Sequence, residues 1–184
     1  MVKNFTRHRV ARFLAALVLT GGATLGAAPA NAATTQAAPV YEQTVQFTMS
    51  VDCTTMTDES RAYAAEHDIK VCAGGIAARN EVSNVCGSSQ VTIGRAGGGN
   101  AFITWGFSSA LGNMVYRSLV VDWSGDAASD TIPDASFMNA ASYGNAAVAP
   151  TGSGPAGAAL YGTATLAWGP TCYMDGPTSS TVIP

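Results

Sequence analysis

Short alternating segments joined by glycine-rich turns constrain the fold of this 184-residue chain more than any other feature. Between residues 41 and 51, five alternating positions are apolar: Tyr41, Val45, Phe47, Met49 and Val51, with only Gln43 interrupting the set. A period of two predicts a β-strand with one buried face. Similar segments occupy 88–95, 101–108, 114–123 and 158–168. Because closely spaced strands joined by glycine turns form hairpins, the chain is predicted to contain an antiparallel meander.

One helix is expected among these strands. It begins at Thr57 and runs to about His67, since a threonine caps a helix and the following Asp58 and Glu59 suit the positive end of its dipole. The later strands lack the intervening helices of a parallel α/β fold. We therefore expect a mainly β protein with one short helix, built as an antiparallel β-sandwich or flattened barrel of six or seven strands. Residues 124–158 are predicted to be looser.

The first 32 residues have the order of a secretory signal peptide: a basic start, an apolar run at 13–19 and a small-residue end at Ala30–Ala32. The apolar run is shorter than the roughly 20 residues that span a membrane. We therefore expect a secreted, extracellular product without membrane insertion. The predicted organisation is a signal peptide at 1–32, a flexible leader at 33–39, a single β-rich domain at 40–175 and a flexible tail at 176–184.

The four cysteines predict two disulfides, because an even number in an exported chain indicates a disulfide framework. They are Cys53, Cys72, Cys86 and Cys172. Three pairings are open, and we favour Cys53–Cys72 with Cys86–Cys172. The first pair would enclose the short helix, and the second would tie an early strand to the last one. The spacings contain no C-x-x-C, so no metal site is expected.

Charge excludes one class of partner. The signal segment holds four of the nine basic residues and none of the twelve acidic ones, so the rest of the chain carries five basic and twelve acidic residues, a net charge of −7. Such a chain repels phosphate backbones, which argues against nucleic acid as a partner. The chain also lacks a basic amphipathic helix for binding anionic membranes.

No catalytic constellation emerges from the sequence. His67 is the one histidine after residue 32, and its place near a helix end favours a surface residue over a general base. No G-x-S-x-G motif accompanies it. The four carboxylates with a spacing of four residues are Asp122, Asp126, Asp130 and Asp134. They are interpreted first as a solvated loop, with a calcium-binding loop and paired catalytic carboxylates as alternatives; whether they bind an ion stays open.

Three tryptophans are candidate surface aromatics, namely Trp105, Trp123 and Trp168. Exposed rings of this kind stack on sugars or anchor a protein partner, and core packing is the alternative. Arg117 shares a predicted strand face with Val115 and Leu119. It is therefore a candidate buried or interfacial arginine, and simple pairing with a carboxylate is the alternative.

These features favour a non-catalytic binding or adaptor domain that needs no cofactor and contacts a secreted or cell-surface protein. The strand at 41–51 is the candidate partner strand, because an N-terminal strand can add to the sheet edge of another protein. Two alternatives are a carbohydrate-binding or cell-envelope-binding module that uses the tryptophans, and a hydrolase with an unrecognised site.

An Ala/Gly-rich signal followed by a cysteine-bearing β domain punctuated by glycines resembles small secreted actinobacterial proteins of unassigned function. The combination of a one-strand leader with a disulfide domain is also similar to the adaptor subunits of secreted umbrella-type toxin particles. This second resemblance implies a role as a subunit of a toxin particle. No site residue is transferred from either resemblance.

Overall fold

The computed structural model describes residues 45–72 and 85–184, and within them strands dominate. A short 3-10 turn (Cys53–Thr55) and helix α1 (Asp58–Glu66) follow the first strand. The nine strands of the described residues are β1 (Val45–Asp52), β2 (Val85–Gly97), β3 (Asn100–Ser109), β4 (Met114–Ser124), β5 (Ser129–Ala140), β6 (Ser142–Ala149), β7 (Gly154–Leu166), β8 (Thr171–Met174) and β9 (Thr178–Ile183). The predicted signal peptide and leader lie outside the described residues.

All nine strands belong to one antiparallel sheet. Its order is β5-β4-β7-β8-β1-β2-β3-β6, and β9 pairs with β7 beyond the end of β8. The sheet curls into a nearly closed barrel, which confirms the predicted mainly β, barrel-like class with one helix and two disulfides. The strands β5 and β6 end the order, and each pairs with a single neighbour.

The apolar side of the sheet forms the core. Alternate residues of the central strands are fully or almost fully buried, including Ile103 and Trp105 of β3 and Leu119 and Val121 of β4. On β4 the predicted inward face is correct except at Val115, which is 36% exposed. A bulge between Met114 and Tyr116 shifts the register there, so the predicted inward position turns outward.

Both predicted disulfides are confirmed, Cys53–Cys72 and Cys86–Cys172. Cys86 is the extra residue of a β-bulge: Met49 pairs with Gly87 and Ser50 pairs with Val85, so Cys86 has no opposite residue. A bulge redirects the side chain of its extra residue. Here it accompanies a bond to Cys172 of β8, a strand that lies on the other side of β1.

The first predicted strand exists, but its position differs from the expectation. β1 starts at Val45, and Tyr41 lies outside the described residues. The strand is neither a free arm nor an edge, since it lies between β2 and β8 and pairs with both. Met49 and Val51 are buried in the core of the same domain. The prediction of a partner strand at 41–51 is therefore wrong for the folded domain, because donating β1 would break two ladders.

The described residues form nine strands where six or seven were expected, and four of them, β5, β6, β8 and β9, lie outside the predicted segments. β5 and β6 occupy the segment predicted to be loose, and β9 occupies most of the predicted tail at 176–184. β5 contains proline and aspartate, and β6 contains three alanines, one glycine and one asparagine, which are all poor strand formers. Pairing of β5 with β4 and of β6 with β3 stabilises these strands despite their weak intrinsic preference for extended structure.

One buried hydroxyl offers a test of the core. Ser89 is 1% exposed, and in the described part of the chain its Oγ is the one buried side-chain polar atom without a hydrogen-bond partner. Because an unsatisfied buried polar group costs free energy, we expect Ser89→Ala to raise the free energy of unfolding by about 1 kcal/mol. Urea unfolding of both proteins measures the change.

The control is the hydroxyl of Ser179, which accepts the backbone N–H of Ile93 at 3.3 Å. Ser179→Ala leaves that donor without this acceptor and should lower stability by about 1 kcal/mol. Two changes of the same sign would contradict the assignment of Ser89 as an unsatisfied group.

Candidate functional site

The densest polar cluster in the described structure surrounds the carboxylate of Asp134. Its Oδ1 accepts Nε and Nη2 of Arg117 at 3.1 and 2.8 Å. Its Oδ2 accepts the Trp105 indole N–H at 2.8 Å, the Tyr143 hydroxyl at 2.6 Å and the Asn145 amide at 3.3 Å. The Arg117 guanidinium also lies 3.7 Å from the centroid of the Tyr143 ring. The five side chains form what we call the Asp134 cluster.

The register of the sheet explains how these residues meet. Asp134 stands opposite Leu119, so it shares the inward face of β4 and β5 with Arg117. Trp105 and Asn145 are direct partners on β3 and β6, and Tyr143 lies two residues before Asn145. The cluster therefore joins the two ends of the strand order, β5 with β4 on one side and β6 with β3 on the other, where β5 and β6 have no ladder between them.

The electrostatics of the cluster favour an ionised Asp134. Burial by itself raises the pKa of this carboxyl, but hydrogen bonds from Tyr143, Trp105, Arg117 and Asn145 outweigh it, and the pKa lies below its ordinary value. Burial raises the pKa of Tyr143, and so does its hydrogen bond to Asp134. The phenol therefore stays protonated and continues to donate to the carboxylate.

The chemistry of the cluster is structural. The carboxylate accepts five hydrogen bonds, and the Tyr143 hydroxyl both donates to Asp134 and accepts from Arg117 at 3.0 Å. A carboxylate offers about four lone-pair sites, so none is left for a metal ion or a substrate proton. The cluster holds strands together instead of presenting a reactive group. The alternative in which Arg117 pairs with a carboxylate is confirmed.

The four evenly spaced carboxylates do not converge. Asp134 faces inward, and Asp122 is an exposed residue of β4. Asp130 accepts the backbone N–H of Thr131, and Asp126 lies in the turn before β5, near Gly154. Among the described residues, no group of three or more His, Cys, Asp or Glu side chains is placed to hold a metal ion.

His67 also lies apart from the other catalytic candidates. Its ring stacks on Tyr63 with centroids 3.9 Å apart, and Nδ1 is 2.9 Å from the Tyr63 carbonyl oxygen. Tyr63 in turn stacks on Trp168 at 5.6 Å. The stack ties the C-terminal half of α1 to the β7–β8 turn, where Ser60 Oγ also donates to the Trp168 carbonyl oxygen.

The tryptophans predicted to be surface aromatics are mostly core residues. Trp105 is 3% and Trp123 is 8% exposed. Trp168 is half-buried, and its indole N–H donates to the Leu111 carbonyl oxygen at 3.1 Å. The prediction is thus wrong for Trp105 and Trp123, because alternation alone does not say which face of a strand meets the core.

Of the aromatic side chains that reach solvent, Phe137 and Tyr161 lie on the outward side of β5 and β7, on either side of β4. Tyr63 of α1, Phe102 of β3 and Tyr173 of β8 are exposed as well. Phe137 is 83% exposed, and its ring lies 5.3 Å from that of Tyr116, its partner on β4. Four residues along β4, Val120 stands beside Tyr161 of β7, and these two are 37% and 46% exposed.

The outward positions between these two rows carry no charge. They are Ser118, Ala135 and Thr163. We call this three-stranded surface the aromatic face. Sequence patterning missed it because Phe137 lies in a segment without a recognisable strand pattern.

Comparison with known proteins identifies no relative from which a function could be inferred. No protein-family model, no curated protein and no solved structure matches the chain. Within the described residues, the structure contains no helix long and apolar enough to cross a membrane.

Proposed function

We propose that this chain is a secreted, non-catalytic binding or adaptor domain whose partner is a secreted or cell-surface protein. The observation that carries the proposal is the aromatic face, where Phe137 exposes 83% of its surface and the outward positions between Phe137 and Tyr161 carry no charge. Exposed apolar patches of this kind mark interaction sites, and interface centres are enriched in aromatic residues and depleted of charge.

Two further observations support binding over catalysis. The most polar cluster in the described structure is saturated by its own hydrogen bonds, and His67 lies against Tyr63. Two disulfides are consistent with an oxidising, extracellular setting. Together they favour a rigid scaffold that presents a surface.

The test is crosslinking and recovery of the tagged domain from the culture fluid of the organism that produces it. We expect a protein that the wild-type domain retains and that Phe137→Ser with Tyr161→Ser loses at least tenfold, because buried aromatic anchors dominate interface energies. The matched control is Val148→Ser, which removes an apolar side chain that is 60% exposed on β6. The control should retain the partner.

Equal recovery by all three proteins would refute the aromatic face as the contact surface. A domain that retains no protein but binds an envelope glycan on an array would replace the proposal with the carbohydrate-binding alternative. Recovery of a larger secreted toxin with the wild type and the control alone would identify the domain as an adaptor subunit.

A further inference from the structure

Within the described residues, β5 and β6 are the two edges of the sheet, and each is obstructed by its own residues. In an antiparallel sheet, the N–H groups of an edge strand that face away from its neighbour are free to pair with another chain. On β5, the Thr131 N–H instead donates to Asp130 Oδ1 at 2.8 Å. In a strand, the N–H groups of residues two apart point to the same side. The next N–H on this edge would belong to Pro133, which has none.

The other edge carries the same device. On β6, the Ala146 N–H donates to Asn145 Oδ1 at 2.9 Å. The side-chain amide nitrogen of Asn145 donates to Asp134 Oδ2 at 3.3 Å. Hydrogen bonds therefore hold both ends of the Asn145 amide group. Proline and locally bonded polar side chains are how natural sheets prevent edge-to-edge association.

We infer that Asp130, Pro133 and Asn145 act as edge guards, which keep this domain from pairing with a second copy of itself. The occupant that the β5 edge would otherwise accept is β5 of another copy, because antiparallel pairing of identical edges closes in a symmetric dimer. This inference does not depend on the proposed function. It concerns the strand edges, whereas the proposed contact uses an outward side-chain face.

The test removes the β5 guards without changing charge. Asp130→Glu keeps the carboxylate but lengthens the side chain beyond its own neighbour's N–H, and Pro133→Thr restores a backbone donor. The matched control, Asp122→Glu with Ser118→Thr, makes similar changes on β4, which pairs on both sides. Light scattering behind size exclusion should give a roughly doubled mass for the guard variant alone.

A folded guard variant that stays monomeric at the highest soluble concentration overturns the inference, and so does a wild type already paired through β5. If the double variant does not fold, light scattering of the single variants Asp130→Glu and Pro133→Thr replaces it, and two folded single variants that both stay monomeric overturn the inference. Amide exchange of Asp130→Glu checks that its guard is lost. The Thr131 amide should then exchange about five- to tenfold faster than in the wild type, as expected for one lost hydrogen bond. An unchanged rate overturns the inference.

Discussion

Asp134→Asn is expected to lower the free energy of unfolding by about 3–5 kcal/mol, the usual cost of removing one partner from a buried ion pair. The variant keeps the shape of the side chain but leaves the Arg117 guanidinium, which is 12% exposed, without its counter-charge. It also places an amide where Tyr143 and Trp105 both donate. Urea unfolding should show a lower midpoint with an unchanged slope.

The loss of stability caused by Asp134→Asn should become smaller at acidic pH. The pKa of Asp134 is lowered in the folded protein, so the carboxylate contributes stability above its unfolded pKa of about 3.9 and loses it as the pH falls through the folded value. The difference between wild type and Asp134→Asn should therefore be constant from about pH 5 to 8 and shrink below about pH 4. A difference that persists unchanged at pH 3 would contradict the ionised cluster.

Two companion variants separate charge from packing. Asp122→Asn removes a carboxylate from an exposed position of β4, and its effect should stay within about 0.5 kcal/mol. Adding Arg117→Met to Asp134→Asn removes the unpaired charge, so the double variant should be more stable than Asp134→Asn alone. If it is less stable by the sum of both single effects, the two residues are not coupled.

Loss of the Cys86–Cys172 disulfide is expected to cost about 5 kcal/mol in the chain-entropy model, and loss of Cys53–Cys72 about 3 kcal/mol. The difference follows from loop length, because Cys86–Cys172 closes a loop of 86 residues and Cys53–Cys72 closes a loop of 19. Cys86→Ala with Cys172→Ala and Cys53→Ala with Cys72→Ala are the two variants. Thermal and urea unfolding under oxidising conditions measure the difference.

The location of each bond sharpens this comparison. Cys86 and Cys172 are fully buried in the core on strands either side of β1, whereas Cys53 and Cys72 lie around α1. Removing the Cys53–Cys72 bond should leave the barrel folded but loosen α1. Faster amide exchange in α1 would show this. If the short-loop variant loses more stability than the long-loop variant, loop entropy does not control how much each disulfide stabilises the domain.

Part of the Asp134 cluster was predictable. Arg117 occurs in an otherwise apolar face of a strand pattern, so its burial beside a carboxylate followed from alternation. Which carboxylate it meets did not follow, because Asp134 belongs to a segment whose proline and polar residues conceal a strand. Trp105 was expected on the surface for its chemistry, but its indole N–H has a buried acceptor in Asp134.

By itself, the sequence determined the strands with strong alternation, the capped helix, the disulfide-bonded character of the domain and its acidity. These are local properties, set by side-chain period, capping chemistry and composition. Only the tertiary structure decided that β5, β6, β8 and β9 are strands, that β1 lies inside the sheet and that Phe137 faces solvent while Trp105 does not. Pairing partners and facing surfaces depend on contacts between residues distant in the chain, and no local preference encodes them.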